Sequence, residues 1–231
     1  VNSATLAAAG VPPDAADPPF GRFDRDPASG AFTGLVRETA AHHFLGQVQS
    51  EDTAEDIACG MERVFAECLS FGITSLYNSL TSSKAIGAYQ LMKRRGRLSL
   101  RIGIIASGRE PGLIDSLIKT GIQSGFGDDW LRLIGVEWCP DCSTSGRTAA
   151  YYEPYVGQPA LGEPQDNRGM LLYEAEDLNA MAVAAHKAGL LVCIEGVGDR
   201  GIAVSGRRRG SRGRIDQHLE KVGAEHRDVG K

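Results

Sequence analysis

The sequence has 231 residues, of which 42% are hydrophobic and 23% are charged, and its formal net charge is −4. These values are typical of a globular protein with one large domain or two small ones. The small negative charge predicts binding neither to nucleic acid nor to an anionic membrane, and no apolar run approaches the roughly 20 residues of a membrane span.

Five cysteines are an odd number for a chain of this size. A disulfide framework uses an even number, so free thiols in a reducing compartment are favoured and a cytoplasmic location is predicted. The sequence begins Val1-Asn2-Ser3, without an initiator methionine and without the basic and apolar segments of a signal peptide. We therefore expect a processed or partial chain.

Residues 1–50 are interpreted as an irregular segment. The pattern predicts a short helix, a proline-rich loop, polar turns or a small hairpin at 24–34, and a second short helix at 38–44. The adjacent His42 and His43 would point in different directions on that helix. They therefore do not form the i, i+4 pair that binds a metal ion.

Between residues 51 and 204, helical and strand-like apolar patterns alternate. Such alternation implies parallel strands with right-handed crossovers, either in a doubly wound sheet or in part of an eight-stranded barrel. The predicted elements are, in order, a helix at 50–70, a strand at 72–78, a helix at 82–96, a strand at 98–107, a helix at 111–120, a strand at 131–138, a helix at 174–187 and a strand at 190–195.

Two neighbouring strands of this series end in an acid, Glu137 and Glu195. In both α/β architectures, ligands bind at the carboxyl ends of the strands. The first of these strands opens into a long polar loop that carries Asp141 and a single cation, Arg147. The sequence therefore predicts the functional site at the ends of these two strands.

Two short motifs beside the same strands indicate other chemistry, each of them weakly. Cys139 and Cys142 form a CxxC motif, but a redox pair needs its first cysteine at a helix N-terminus, and a zinc site needs a second pair. Gly196, Gly198 and Gly201 match the GxGxxG of dinucleotide-binding proteins. That site needs a helix directly afterwards, and the Gly- and Arg-rich residues that follow are expected to make a poor one. Dinucleotide binding is kept as an alternative.

Residues 205–231 are rich in arginine and glycine and show no periodicity. A basic, poorly structured tail is the first interpretation of this composition. A tail that binds RNA or phosphate is the second. A reading-frame disturbance around 202–213 is the third.

One series of motifs extends from residue 1 to about 204. Its segments are Val1-Asn2-Ser3 with Leu6 and Gly10, Arg25-Asp26 with Thr33-Gly34-Leu35, Gly72-Ile73-Thr74-Ser75, Val136-Glu137 with Asp141-Cys142-Ser143, Arg147-Thr148-Ala149 with Glu153-Pro154-Tyr155, and 195–201. In order and spacing this series resembles amidohydrolase family 3, within the superfamily of metal-dependent amidohydrolases. The glycine motif is then a part of the family pattern.

The resemblance implies a (β/α)8 TIM-type barrel with a divalent metal ion, zinc in our expectation, at the strand ends. It places Glu137 where the family has a lysine that is often carboxylated, and Glu195 where the family has a histidine. His218 lies in a faint echo of a later strand that carries a further histidine. Because zinc accepts carboxylate oxygen and imidazole nitrogen, these three residues are the expected metal ligands.

The reaction that the resemblance implies is hydrolysis of a non-peptide carbon–nitrogen bond, as in an amide or a formamide, by metal-activated water. The partner is a small-molecule substrate. Asp141 and Arg147, on the loop above the site, are the expected catalytic residues. For Arg147, an ion pair with Glu153 is the structural alternative.

The resemblance covers roughly strands two to five of the barrel, without the ligands of the first and last strands. A half barrel leaves edge strands unpaired, so we expect it to need further sequence, a partner or formation of a homodimer. A catalytically inactive, truncated remnant of such a hydrolase is therefore the alternative function.

Overall fold

The computed structural model describes residues 1–41, 44 and 52–206. The helices are α1 (Ser3–Ala8), α2 (Ala54–Ser70), α3 (Ser83–Arg94), α4 (Leu113–Lys119), α5 (Ala175–Lys187) and α6 (Asp199–Gly206). The strands are β1 (Gly21–Arg25), β2 (Phe32–Glu38), β3 (Ser75–Thr81), β4 (Arg101–Ser107), β5 (Leu131–Trp138) and β6 (Val192–Ile194). His42, His43, His218 and the tail from 207 onward lie outside the described residues.

The main sheet contains β3, β4, β5 and β6 in that spatial order, and all three neighbouring pairs are parallel. A doubly wound sheet reverses its strand order at a switch point. Here the order follows the chain, so right-handed crossovers through α3, α4 and α5 put these helices on one face. The fold is therefore α/β and of the partial barrel type, and no barrel is closed within the described residues.

Burial of apolar side chains holds the helices against the sheet. The fully buried residues of this layer include Met92 on α3, Leu100 just before β4, and Val136 on β5. Burying one aliphatic side chain of this size contributes about 1.5–3 kcal/mol. The layer is therefore stabilised mainly by burial of the apolar side chains whose periodic spacing also predicted its elements.

The elements expected in the main sheet and its helices are present, and all but β5 have shifted boundaries. Thr53 caps α2 through a reciprocal capping box with Asp56. The strand expected at 72–78 begins later, at Ser75. The reason is that Gly72 adopts φ +78° and the N–H of Ile73 donates to a carbonyl of α2, so these residues terminate the helix.

Among the described residues, the other face of the sheet is partly exposed and both of its edges are unpaired. The edge strands, β3 and β6, each pair on one side only. Tyr77 of β3 packs against Gly103, where a Cβ atom would collide with the tyrosine ring, and 72% of Tyr77 is exposed. An incomplete barrel leaves its inner face and edges open in this way.

The N-terminal residues form α1 and an antiparallel hairpin of β1 and β2, which matches the hairpin considered at 24–34. Phe23 and Phe44 are buried in a small separate core. The hairpin also contacts the long loop after β5, because Nη1 of Arg37 donates to the carbonyl of Gly146 at 2.5 Å. In the part of the chain that the structure describes, no helix is long and apolar enough to cross a membrane.

Candidate metal centre at the carboxyl edge of the sheet

Three side chains with metal-binding atoms meet at the carboxyl edge of the sheet: Glu137, Cys139 and Glu195. One ligand atom of each lies within 4.8 Å of the other two. Because β5 and β6 are parallel and in register, with Glu137 opposite Cys193, the two strands end together. The N–H of Glu195 donates to the carbonyl of Trp138 at 3.0 Å. The structure thus brings together two of the three predicted metal ligands.

Glu137 is buried and is held by β3 from across the sheet. The hydroxyl of Ser79 and the N–H of Leu80, which is 3.1 Å away, both donate to its Oε2 atom. Leu80 reaches this position with φ +47°, a left-handed conformation that costs roughly 1–3 kcal/mol in a residue other than glycine. Both donors bind Oε2 and orient the carboxylate, and no donor to its other oxygen is present among residues 1–41, 44 and 52–206.

Cys139 lies two residues after Glu137, and in an extended chain side chains two residues apart lie on the same side. Its thiol is buried and donates to Oε2 of Glu195 at 3.5 Å. Burial raises the pKa of Cys139 to about 12; the charge of Arg109 lowers this pKa, and the carboxylates of Glu195 and Glu137 raise it. Sequence reasoning treated this cysteine only as half of a CxxC motif, although its spacing from Glu137 was a signal of its place in the site.

Arg109, which the sequence analysis did not single out, lies at the same edge after β4. Its Nη2 atom contacts Sγ of Cys142 at 3.6 Å, and its buried Nε has no hydrogen-bond partner among the described residues. Burial raises the pKa of the Cys142 thiol, as does the neighbouring Glu38, while Arg109 lowers it. Its position two residues after the end of β4 could have indicated from the sequence that Arg109 lies near the site.

Asp141 is fully buried and joins the loop after β5 to the start of α6. Its carboxylate accepts three backbone hydrogen bonds, from Ala150 at 2.8 Å, Val197 at 2.9 Å and Gly198 at 2.7 Å. Backbone N–H groups that donate to a charged carboxylate hold it firmly in one position. These contacts describe a positioning residue, and a catalytic role for Asp141 stays a prediction.

The glycine motif surrounds the same carboxylate. The expectation of a poor helix after it was wrong for the described residues as far as Gly206, which form α6. The start of this helix packs on the loop, and this packing outweighs weak helix propensity. A Cβ atom at Gly198 would collide with the backbone of Ala150, and one at Gly201 would collide with the carboxylate of Asp141. The protein's own acid therefore occupies the place where a dinucleotide phosphate would bind at a helix N-terminus.

Arg147 makes its contacts within the long loop. Its Nε donates to Glu163 at 2.5 Å, and its guanidinium lies 4.9 Å from the ring centre of Tyr155. The partner is thus Glu163, where the sequence indicated Glu153. Burial raises the pKa of Glu163, but hydrogen bonds from the N–H of Ala160 and from Arg147 outweigh it and lower the pKa to about 2. The contacts favour the structural alternative for Arg147, and its catalytic role stays a prediction.

A family model described as the amidohydrolase family matches residues 1–226. The chain belongs to the amidohydrolase family. Two crystal structures resemble the chain, and both are described as uncharacterized metal-dependent hydrolases, one from Pyrococcus horikoshii OT3 and one from Pyrococcus furiosus. Each is 25% identical to the chain and covers 88% of it, with TM-scores of 0.65 and 0.63 respectively. No curated protein matches the sequence.

The chain spans less than half of these two structures, 38% of the first and 39% of the second. The family predicted from the motif series is confirmed by the match over residues 1–226. The chain aligns with part of a larger fold, which agrees with a sheet whose edges are open.

Proposed function

We propose that the protein provides part of a metal-dependent hydrolase that cleaves a non-peptide carbon–nitrogen bond of a small molecule, with zinc at the carboxyl edge of the sheet. The observation that carries this proposal is the convergence of Glu137, Cys139 and Glu195 within 4.8 Å. Membership of the amidohydrolase family supports it, as does the description of both structural neighbours as metal-dependent hydrolases.

The residues at this edge suit a divalent ion. Zinc binds carboxylate oxygen and thiolate sulfur at about 2.0–2.3 Å, so the ligands of a tetrahedral ion lie roughly 3.5 Å apart. The ligand atoms here lie within 4.8 Å of one another, and the sulfur of Cys139 is already 3.5 Å from Oε2 of Glu195. Glu137 is the anchor of the set, because Ser79 and Leu80 already fix its carboxylate.

A divalent ion, when bound, supplies Lewis-acid activation of water and of the scissile carbonyl. In the proposed reaction the oxygen of water bonds to the carbonyl carbon, the carbon–nitrogen bond breaks, and the leaving nitrogen takes up a proton. An amide and water thus give a carboxylic acid and an amine. Glu137 and Glu195 would hold the ion at a position that the carbonyl of the substrate can reach.

Asp141 and Arg147 act on the loop above the site in this proposal. The three backbone hydrogen bonds of Asp141 fix the loop to the start of α6. The ion pair of Arg147 with Glu163 fixes its other side. His218 stays the predicted third ligand, at a position outside the described residues.

Zinc content of the purified chain, measured by elemental analysis, tests the metal centre. We expect about one equivalent on the wild type and the loss of most of it in Glu137→Gln and in Glu195→Gln, because the amide is a far weaker zinc ligand than the carboxylate. Glu153→Gln is the matched control, since this exposed acid lies on the long loop, and it should retain the zinc. Equal zinc in all four proteins would refute the proposed site.

Turnover of amides and formamides separates this proposal from the inactive remnant. A catalytic site at the centre of a barrel uses ligands from several strands, and the described sheet contributes four strands to it. Zinc binding with hydrolysis of an amide, and loss of both in Glu137→Gln, would support the hydrolase. Zinc binding without turnover of any amide would favour the remnant.

A further inference from the structure

We propose that the thiolate of Cys139 is a direct metal ligand at this centre, which makes the site selective for thiophilic ions such as Zn²⁺, Cd²⁺ and Co²⁺ over Mg²⁺ and Mn²⁺. This inference rests on the metal centre proposed above and adds a sulfur ligand to its two carboxylates. The motif series that identified the family pointed to the positions of Glu137 and Glu195, not to this cysteine.

Geometry is the first support. The sulfur of Cys139 lies 3.5 Å from Oε2 of Glu195 and within 4.8 Å of the carboxylate of Glu137. Trp138 lies between Glu137 and Cys139 in the sequence. Its indole packs against Gly108, where a Cβ atom would overlap the ring. The large aromatic thus fixes the end of β5, and alternation along the strand places Glu137 and Cys139 on the same side.

The chemical surroundings are the second support. A buried thiol between two carboxylates forms a group of three acids, of which Cys139 is only 4% exposed and Glu137 only 7%. Acids this close repel one another when charged, and a bound divalent cation is commonly the largest local charge that resolves such a group. The neighbouring cation Arg109 already directs its Nη2 atom to Cys142.

Binding is a ligand exchange without oxidation or reduction. The S–H bond of Cys139 breaks, a bond between sulfur and the metal forms, and the proton leaves to solvent, directly or through the carboxylate of Glu195. Thiolate sulfur prefers Zn²⁺ and similar ions, whereas carboxylate and water oxygen prefer Mg²⁺ and Mn²⁺. The sulfur therefore decides which ions the site retains.

Titration of the metal-free, full-length chain with Co²⁺ and with Cd²⁺ tests the proposal. We expect the near-ultraviolet charge-transfer absorption that marks a thiolate–metal bond, saturating at about one ion per chain. Cys139→Ser should abolish this absorption and weaken Zn²⁺ binding at least about 10–100-fold. Cys142→Ser and Cys193→Ser are the matched controls and should retain it, since both thiols are nearby but outside the cluster.

A measurement on the wild type removes dependence on the folding of the variants. X-ray absorption at the zinc edge of the wild-type chain should show one sulfur neighbour at about 2.3 Å beside the lighter oxygen ligands. Metal binding without thiolate absorption, or absorption that survives Cys139→Ser, would overturn this inference and leave the carboxylate centre standing. Failure of the chain to bind any of these ions would overturn both.

Discussion

The helix-covered sheet and the loop at 139–174 are stabilised by different interactions. In the sheet, residues such as Met92, Leu100 and Val136 are buried among other apolar side chains. Each of them contributes a similar free energy, and none depends on a single partner. The sheet is therefore expected to weaken gradually as side chains are shortened.

The loop, by contrast, is held to the N-terminal hairpin by buried charges. Arg37 of β2 contacts Asp24 at 2.7 Å, the carbonyl of Gly146 at 2.5 Å and Glu163 at 3.9 Å. Glu163 in turn accepts from Arg147. A buried charge is costly unless it is paired, so each member of this network depends on the others. Because the sheet relies on apolar burial and the loop on a buried charge network, one substitution can release the whole loop while the sheet stays folded.

Arg37→Met should have the largest effect, because it leaves Asp24 and Glu163 buried with fewer partners. Removing one member of a buried ion pair costs about 3–5 kcal/mol. We expect this loss as a lower free energy of local opening in the loop and the hairpin, measured by hydrogen exchange, with the sheet less affected.

Arg101→Met is the matched control for Arg37→Met. Arg101 lies at the exposed start of β4, and its side chain donates to the hydroxyls of Ser75 and Thr74, with no acid partner among the described residues. We expect its change in stability to stay within about 0.5 kcal/mol. Equal exchange rates of the loop in wild type and Arg37→Met would show that apolar contacts suffice to hold it.

Leu100→Ala should have the next largest effect. In contrast to Arg37→Met, it should destabilise the sheet and its helices. This fully buried side chain belongs to the core between the sheet and its helices, and truncation of such a leucine costs about 2–5 kcal/mol. Urea unfolding should show one cooperative transition at lower urea concentration. Val64→Ala, on the half-exposed side of α2, is the control and should change the midpoint little. A loss of loop protection alone in Leu100→Ala would contradict the comparison.

The same contrast explains how far the sequence could be interpreted. Apolar periodicity predicted the elements of the sheet, and β5 was predicted with its observed bounds, because each element is specified by residues within it. Between the two architectures left open by this pattern, only the spatial order of the strands decided.

The loop could not be predicted because its contacts join residues that are far apart in sequence. Arg37 and Gly146 are separated by 109 positions, and Asp141 accepts from Val197 and Gly198 across more than 50. No local pattern indicates which acid a given arginine will bind, so the sequence indicated Glu153 for Arg147, whereas the structure shows Glu163. At the site, the strand-end acids were recognised by their position, while Cys139 was assigned to another motif.

The smallest effect is expected from protonation of Glu163, and it appears only in acid. The pKa of Glu163 is lowered from 4.5 to about 2, so its charged form stabilises the folded loop. This stabilisation is fully present above the unfolded value of about 4.5 and is lost as the pH falls towards 2. In Glu163→Gln, the free energy of loop opening from hydrogen exchange should therefore be lower at neutral pH and nearly constant between these two pH values.

Asp128 provides the contrast for Glu163, because its pKa is also lowered to about 2, by a hydrogen bond from Lys93 and by the N–H groups of Trp130 and Leu131. Its side chain is 50% exposed, whereas that of Glu163 is fully buried. Salt screens exposed charges far more than buried ones. Each substitution removes the part of the stability that is lost in acid. Raising the salt concentration to about 1 M should thus diminish this part for Asp128→Asn and leave it unchanged for Glu163→Gln. Equal screening of both would mean that water reaches Glu163, and the loop would then not be held by buried charges.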